Sequence, residues 1–401
     1  MHLCVYWCIS LIFNGPITYS FKGELLFIDY GDVKMKKLSL AEASAILIGT
    51  QIGAGVLGLP YALKDTGLLG IIIVIATGLL TLLTALFVLD LAAYTNGTLS
   101  RIAEVYLGKT GGYLMFLSIS VLSYGALIAY IAGSGDILSS LIGVSEKAGA
   151  LIFWFVMSLI VFLGLKASGK AELLLNFLLL GALTLAIALV IPRVNVSNLT
   201  SIDYSAITKG IGVAVFAYVS HMVVPEMLKG LGDFRKTTKA VLIGYLVPMV
   251  FYAFFVLAFV GAFGPETPEL ATSALRQFYG GLGKVLGLIL PLAAISTSYI
   301  GIGLAQMDNM KELFKIKKPH AWLLTVLPPL FIYLAGLNSF VNALWMAGTF
   351  GGLLYAGILP AVMYIRAKKI HKKLHLPIPH GFAYLSGLLF FLVFIYSILS
   401  V

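Results

Sequence analysis

Long apolar segments recur along the whole chain, separated by short polar or basic stretches. A helix of about 20 apolar residues crosses the hydrocarbon core of a bilayer. Only 11% of the residues are charged and 60% are hydrophobic, whereas about 25% are charged in a typical soluble domain. The sequence therefore predicts an all-α integral membrane protein. We place eleven transmembrane helices near 40–63, 67–93, 113–141, 149–165, 171–191, 206–229, 237–262, 283–307, 320–336, 339–365 and 379–400. We expect a short interfacial helix over 97–110.

Residues 1–35 differ from the rest. The stretch "MHLCVYWCISLIFNGP" is too short to span a bilayer, and it lacks the basic start of a signal peptide. The text from Met35, "MKKLSLAEA", has the character of a natural N-terminus. We expect an N-terminal extension over 1–35, with a short interfacial helix as the alternative, and one transmembrane domain over 36–401.

The basic residues predict the orientation. With the N-terminus in the cytoplasm, 21 of the 27 Lys and Arg residues fall on the inner side and 6 on the outer side. Cytoplasmic loops of membrane proteins carry such an excess. We therefore expect a plasma-membrane protein with its N-terminus inside and its C-terminus outside. Orientation accounts for the net charge of +10, so nucleic acid is excluded as a partner.

The first span contains "LIGTQIGAGVLGLPYA", which crowds poor helix formers into its middle. The run Gly53-Ala54-Gly55 lets the backbone leave helical geometry without a side-chain clash, and Pro60 fits the first turns of a restarted helix. Opened backbone at membrane depth must be buried in protein or line a polar cavity. The start of the second half-helix would then bind a carboxylate. Close packing of small residues is the alternative.

The sixth span, "VAVFAYVSHMVVPEMLKGLG", has the polar residues His221 and Glu226 around Pro225. Titratable residues inside the membrane are costly and usually functional. Interrupted helices at positions one and six are typical of transporters built from two inverted repeats. We therefore predict two five-helix repeats, spans 1–5 and 6–10, with the eleventh span outside the pattern.

The eighth span, "LPLAAISTSYIGIGLAQMDNM", has three adjacent hydroxyl residues from Ser296 to Ser298. Such hydroxyls can bond back to carbonyls one turn earlier. They can also coordinate Na⁺ together with carbonyls freed in the first span, such as those of Gly49 and Ile52.

Three motifs together carry a family resemblance: "GTQIGAGVLGLPYA", "FAYVSHMVVPEM" and "AISTSYIGIGLAQMDNM". They resemble the amino acid–polyamine–organocation superfamily, and within it the amino acid/auxin permeases and the bacterial aromatic amino acid permeases. The resemblance covers roughly 36–400. It implies a leucine-transporter-type fold with broken first and sixth helices, and secondary transport of an amino acid by alternating access.

The resemblance also implies site residues. The substrate carboxylate would be held by Gly53, Ala54 and Gly55. The substrate amine would be held by carbonyls near Phe216, Ala217 and Val219. A sodium site would be formed by Gly49, Ile52, Ala294, Thr297 and Ser298. Some eukaryotic relatives place Asn where this chain has Gly49, so their ion chemistry does not transfer directly.

The coupling ion is expected to be Na⁺. Some proton-coupled members of the superfamily place a Lys of span five where sodium would sit, and here Lys170 lies only at the end of that span. H⁺ is the alternative because His221 is available. Tyr124 in span three and His221 in span six are further candidates for contact with the substrate, with packing as the alternative for each.

We therefore expect a cation-coupled symporter of neutral amino acids, with large or aromatic ones as the narrower expectation, and with no cofactor besides the ion. A proton-coupled or uncoupled carrier is the alternative within transport. A membrane-embedded enzyme would need a second catalytic group beside His221, and Glu226 is the only acid close in sequence. No phosphate-binding loop of the G-x-x-x-x-G-K-[ST] type is present.

Overall fold

The computed structural model describes residues 38–95, 97–164, 169–200, 202–371 and 373–399. For residues 169–176 and Glu312 it describes the backbone alone. The expected extension over 1–35 lies outside the described residues.

The described chain is helical throughout, with short connections. Its main helices are α1 (Leu40–Gln51), α2 (Ala54–Ala62), α3 (Leu69–Ala92), α4 (Leu99–Ile142), α5 (Glu146–Leu163), α6 (Gly169–Val190), α7 (Ile207–Tyr218), α8 (Val223–Leu231), α9 (Phe234–Phe263), α10 (Arg276–Lys284), α11 (Leu290–Phe314), α12 (Lys318–Leu334), α13 (Phe340–Met346), α14 (Leu359–Ile370) and α15 (His380–Leu399).

Helices lie at each of the eleven places where the sequence predicts a span. Within the described part, eight helical stretches are long and apolar enough to cross a membrane, or nine when the bent pair α1 and α2 is counted as one span. The described apolar part of the fifth span, Phe177–Arg193, is shorter. The helix α12 has 17 residues. The protein is a multi-pass membrane protein.

The first and sixth spans are interrupted, as the sequence predicts. The helices α1 and α2 meet at an angle of 43° across Ile52 and Gly53. The sixth span divides into α7 and α8 across residues 219–222. The breaks therefore lie in the first span of each of the two predicted five-helix repeats.

The third span is continuous with a preceding helix that the sequence places over 97–110. Gly108 joins the two parts with a φ of +75°. This left-handed geometry is strained for residues with a side chain and open to glycine. The predicted interfacial segment and the transmembrane segment therefore form one kinked helix, α4.

Close packing brings the two broken spans together. A Cβ atom on Gly55 of α2 would lie 2.8 Å from the ring of Phe216 on α7. One turn earlier on the same face of α7, Gly212 lies directly against Gly348 of the tenth span. Here the helix widens into π geometry over Ala347–Ile358. Small residues at membrane helix contacts let backbones approach closely, and here they place the two breaks side by side.

Candidate functional site

Break one is the segment Ile52–Gly53 between α1 and α2. Gly53 is extended, with φ −120° and ψ −156°. Its amide donates to the Gln51 carbonyl at 2.8 Å instead of to Gly49, and the Val56 amide donates to Gly53 at 3.4 Å instead of to Ile52. The carbonyls of Gly49 and Ile52 therefore lose the donors that a continuous helix would supply.

The amides of Ala54 and Gly55 open the second half-helix, α2. The first amides of a helix have no acceptor within it, and they carry the positive end of the helix dipole. Ala54 and Gly55 are buried, while Gly53 is partly exposed. Because any side chain on Gly55 would collide with Phe216, glycine is required where break one meets the sixth span. This arrangement can bind a carboxylate.

Break six is the segment from Val219 to Met222 between α7 and α8. Val219 is extended, with ψ 108°, and its amide donates to the Phe216 carbonyl at 3.3 Å. The Val223 amide donates to Ser220 at 3.0 Å, which leaves the Val219 carbonyl without its usual helical donor. Break six therefore presents partial negative charge, as a substrate amine requires.

The residues named for a cation lie on α11, in break one and, for Gly49, in the last turn of α1. The Ser298 hydroxyl oxygen is 3.9 Å from the position of a Cβ on Gly53, and it has no protein partner among the described residues. Ala294 is buried one turn before it. The Thr297 hydroxyl donates back to the carbonyls of Ala293 and Ala294, at 3.2 and 3.1 Å. Thr297 therefore bonds within its own helix, whereas the Ser298 hydroxyl is free to face break one.

His221, a further candidate for contact with the substrate, is fully buried in break six. Its Nε2 atom is 3.0 Å from the Thr84 hydroxyl on α3, and its Nδ1 atom is 3.4 Å from the Tyr245 hydroxyl on α9. The ring also packs edge-on against Tyr355 of the tenth span. Both ring nitrogens are thus occupied by protein groups, so the imidazole anchors break six to three other spans.

Tyr124 has a specific partner on the ninth span. Its hydroxyl donates to the Leu324 carbonyl at 2.7 Å. In a regular helix that carbonyl would accept from residue 328, but Pro328 has no amide hydrogen. Tyr124 therefore satisfies a carbonyl that a proline has freed, and its contact with the substrate stays a prediction.

Glu226 pairs with a neighbour on its own helix. Its carboxylate lies 3.1 Å from the ammonium of Lys229, one turn later on α8. The sequence alone names no partner for Glu226, and the structure supplies an ordinary helical ion pair.

Sequence reasoning missed four buried residues around the two breaks: Gln51, Thr84, Tyr245 and Tyr252. Gln51 is the only one within the motif of the first span, where an amide in an apolar segment was a usable signal. Tyrosines and threonines in apolar helices resemble packing residues, so the others carried no distinguishing pattern.

The chain matches the model of the tryptophan/tyrosine permease family over residues 36–399. It is similar to the tyrosine-specific transport system 1 of Haemophilus influenzae, with 28% identity over 83% of this chain and 89% of the relative. It is also similar to the glutamine transporter 2 of Aliivibrio fischeri, with 24% identity over 84% and 93% of the two chains.

Among solved structures, the fold resembles the inward-facing conformation of Mhp1. The TM-score is 0.60, with 16% sequence identity, over 82% of this chain and 77% of the other. This likeness confirms the predicted leucine-transporter-type fold. The family and the relatives are permeases, so the chain is not an enzyme and the alternative based on His221 is excluded. The chain belongs to the tryptophan/tyrosine permease family.

Proposed function

We propose that this protein is a secondary active symporter of a large neutral amino acid, most simply an aromatic one, coupled to Na⁺. One observation carries the proposal. The amides of Ala54 and Gly55 lie beside the sixth span, where the carbonyl of Val219 lacks a helical donor. Amides suit a carboxylate and carbonyls suit an ammonium group, so the two breaks together are complementary to a zwitterion.

The relatives support an amino acid as the substrate, and they differ in which one. A transport system specific for tyrosine and a glutamine transporter match nearly the whole chain at similar identity. The family is named for tryptophan and tyrosine. The site offers main-chain groups to the zwitterion, so apolar packing would select the side chain of the substrate. We therefore favour tyrosine, tryptophan or phenylalanine.

Sodium is supported by the oxygen atoms near break one. The Ser298 hydroxyl faces Gly53, and the carbonyls of Gly49 and Ile52 lack their helical donors. Hard oxygen ligands of this kind suit small cations. Coupling to protons would need a group that exchanges them with solvent, and His221 is fully buried with both nitrogens paired.

We further propose a plasma-membrane location with the N-terminus in the cytoplasm, on the basis of the basic residues. Substrate would then enter from outside, bind between the breaks, and leave when the two repeats rock about the site.

Uptake into proteoliposomes tests the proposed function. Radiolabelled tyrosine, tryptophan, phenylalanine and glutamine would each be offered with a sodium gradient, a pH gradient or neither. We expect accumulation of an aromatic amino acid above its outside concentration with the sodium gradient alone. Accumulation driven only by the pH gradient would replace sodium by protons, and preferred uptake of glutamine would overturn the proposed substrate.

A further inference from the structure

Tyr252 of α9 joins the two breaks directly. Its hydroxyl lies 2.7 Å from the carbonyl oxygen of Gln51, at the end of α1, and 3.2 Å from that of Ala217, near the end of α7. The side chain is fully buried. A phenol has one proton, so one donor holds two carbonyls. Each of these carbonyls lies at the C-terminal end of the first half-helix of a broken span.

Gln51 makes a second connection through its side chain. Its Nε2 atom donates to the hydroxyl of Ser220 in break six at 2.9 Å. Gln51 is therefore bound to the sixth span by its main chain, through Tyr252, and by its side chain. Its Oε1 atom is buried without a hydrogen-bond partner among the described residues.

A hydrogen-bond chain anchors this second connection. Ser220 donates to Tyr245 at 3.0 Å, Tyr245 lies 3.4 Å from His221 Nδ1, and His221 Nε2 lies 3.0 Å from Thr84. Thr84 in turn donates to the Thr81 carbonyl at 3.0 Å. With the proton on Nε2, every member donates to the next. Such chains strengthen their members cooperatively.

We infer that Tyr252 and Gln51 clamp the two breaks at the spacing of an α-amino acid, and so make the protein select α- over β-amino acids. The inference rests on the proposed function, in which break one holds the carboxylate and break six the ammonium group. Tyr252 and Gln51 are positioning residues in this view, since they act through the backbone groups that contact the substrate.

The physical reason is the geometry of the substrate. One carbon atom separates the carboxylate from the ammonium group in an α-amino acid, and two separate them in a β-amino acid. If the two breaks could drift apart, both substrates would fit. Without the Tyr252 proton, the carbonyls of Gln51 and Ala217 would face each other with like partial charges and separate. Buried acceptors without donors are also costly.

The test compares the uptake of L-tyrosine with that of L-β-homotyrosine, or of whichever matched pair the wild type transports. A single methylene changes discrimination by about 10-fold or more in a site of fixed size. The KM ratio, which is the KM for the β-amino acid divided by the KM for the α-amino acid, should therefore be of that order in the wild type. In Tyr252→Phe and Gln51→Met, the KM for the α-amino acid should rise and the ratio should fall by about fivefold, the equivalent of one net hydrogen bond.

Two matched controls separate this role from general stabilisation. Tyr364→Phe removes a buried hydroxyl that bonds Asp90, far from the breaks. Gln306→Met removes a buried amide that has no partner among the described residues. Both controls should keep the wild-type KM ratio. If Tyr252→Phe or Gln51→Met is not monodisperse in detergent, Ser220→Ala takes its place. It removes the hydrogen bond between Gln51 and Ser220 from the side of break six.

The outcomes are distinct. A reduced ratio in the two variants, with wild-type ratios in the controls, supports the clamp. An unchanged ratio in properly folded Tyr252→Phe and Gln51→Met overturns it, whatever happens to the maximal rate. Absence of amino acid uptake by the wild-type protein would refute the proposed function instead, and would leave no ratio to compare.

Discussion

The two breaks occupy matching positions in the two halves of the chain, yet they are built in opposite ways. Break one consists of Ile52 and Gly53, carries no polar side chain, and leaves the carbonyls of Gly49 and Ile52 without helical donors. Break six carries Ser220 and His221, both fully buried. These side chains bond to partners on the second, seventh and first spans, here α3, α9 and α1.

The difference indicates that the two breaks have different roles. Break one leaves main-chain groups available to a ligand, whereas the polar side chains of break six are bonded to the protein. Substitutions in break one should therefore reduce transport more than stability. Substitutions of the buried side chains in break six should reduce stability as well.

The largest expected effect is that of Gly55→Leu. A side chain there would collide with Phe216, since even a Cβ atom would lie 2.8 Å from the ring. We expect the uptake rate to fall by about 100-fold, as for other displacements of about 1 Å in a binding site. Uptake in proteoliposomes would be measured on protein shown to be monodisperse in detergent.

Gly181→Leu is the matched control for this substitution. A Cβ on Gly181 of α6 would meet nothing within 4 Å, so uptake should stay close to the wild-type rate. Wild-type affinity in Gly55→Leu would contradict the placement of the carboxylate in break one.

The second largest effect should come from Thr297→Ala/Ser298→Ala. The structure sharpens this prediction, because Ser298 faces Gly53 and Thr297 bonds back to its own helix. We expect the half-saturating Na⁺ concentration to rise by about 10-fold or more, with Ser298→Ala alone causing most of it. Uptake would be measured against Na⁺ concentration at constant pH.

Ser296→Ala serves as the control, since that hydroxyl donates to the Leu292 carbonyl at 2.7 Å on its own helix. If wild-type uptake were indifferent to Na⁺ and followed an imposed pH gradient, the proton-coupled alternative would replace the sodium site.

His221→Ala should have a moderate effect in which stability changes first. The substitution leaves the hydroxyls of Thr84 and Tyr245 without their imidazole partner. Each such loss costs about 1–3 kcal/mol, so the melting temperature in detergent should fall, and the substrate KM should rise as break six loosens. A variant with wild-type thermal stability and a large loss of affinity would instead place the imidazole in contact with the substrate.

The smallest effect is expected for Glu226→Gln. The pair with Lys229 joins residues one turn apart on α8, and the Lys229 side chain is 39% exposed. Exposed pairs of this kind contribute about 0–1 kcal/mol, so uptake and melting temperature should both stay near wild type. Loss of transport would show that the carboxylate, despite its local partner, takes part in the transport cycle.

Much of the fold could be predicted because membrane insertion leaves few solutions. Apolar segments of the right length must become helices, and Gly53 and Pro60 already mark the interruption of the first span. Ser298 could be singled out because hydroxyl residues are conspicuous in an apolar helix. The hydrogen-bond partners of Tyr124 and His221 could not be predicted, since each depends on which carbonyl or hydroxyl a distant helix places beside it.

The sequence by itself determined the class of protein, the places of its helices and the positions where two of them open, because these follow from local chemistry and the energetics of the bilayer. Only the tertiary structure decided what fills the breaks. Tyr252 lies some 200 residues from Gln51 in the chain and donates to its carbonyl, and His221 meets Thr84 across 137 residues. Hydrogen bonds depend on distances of a few tenths of an ångström, and such distances are set by helix packing.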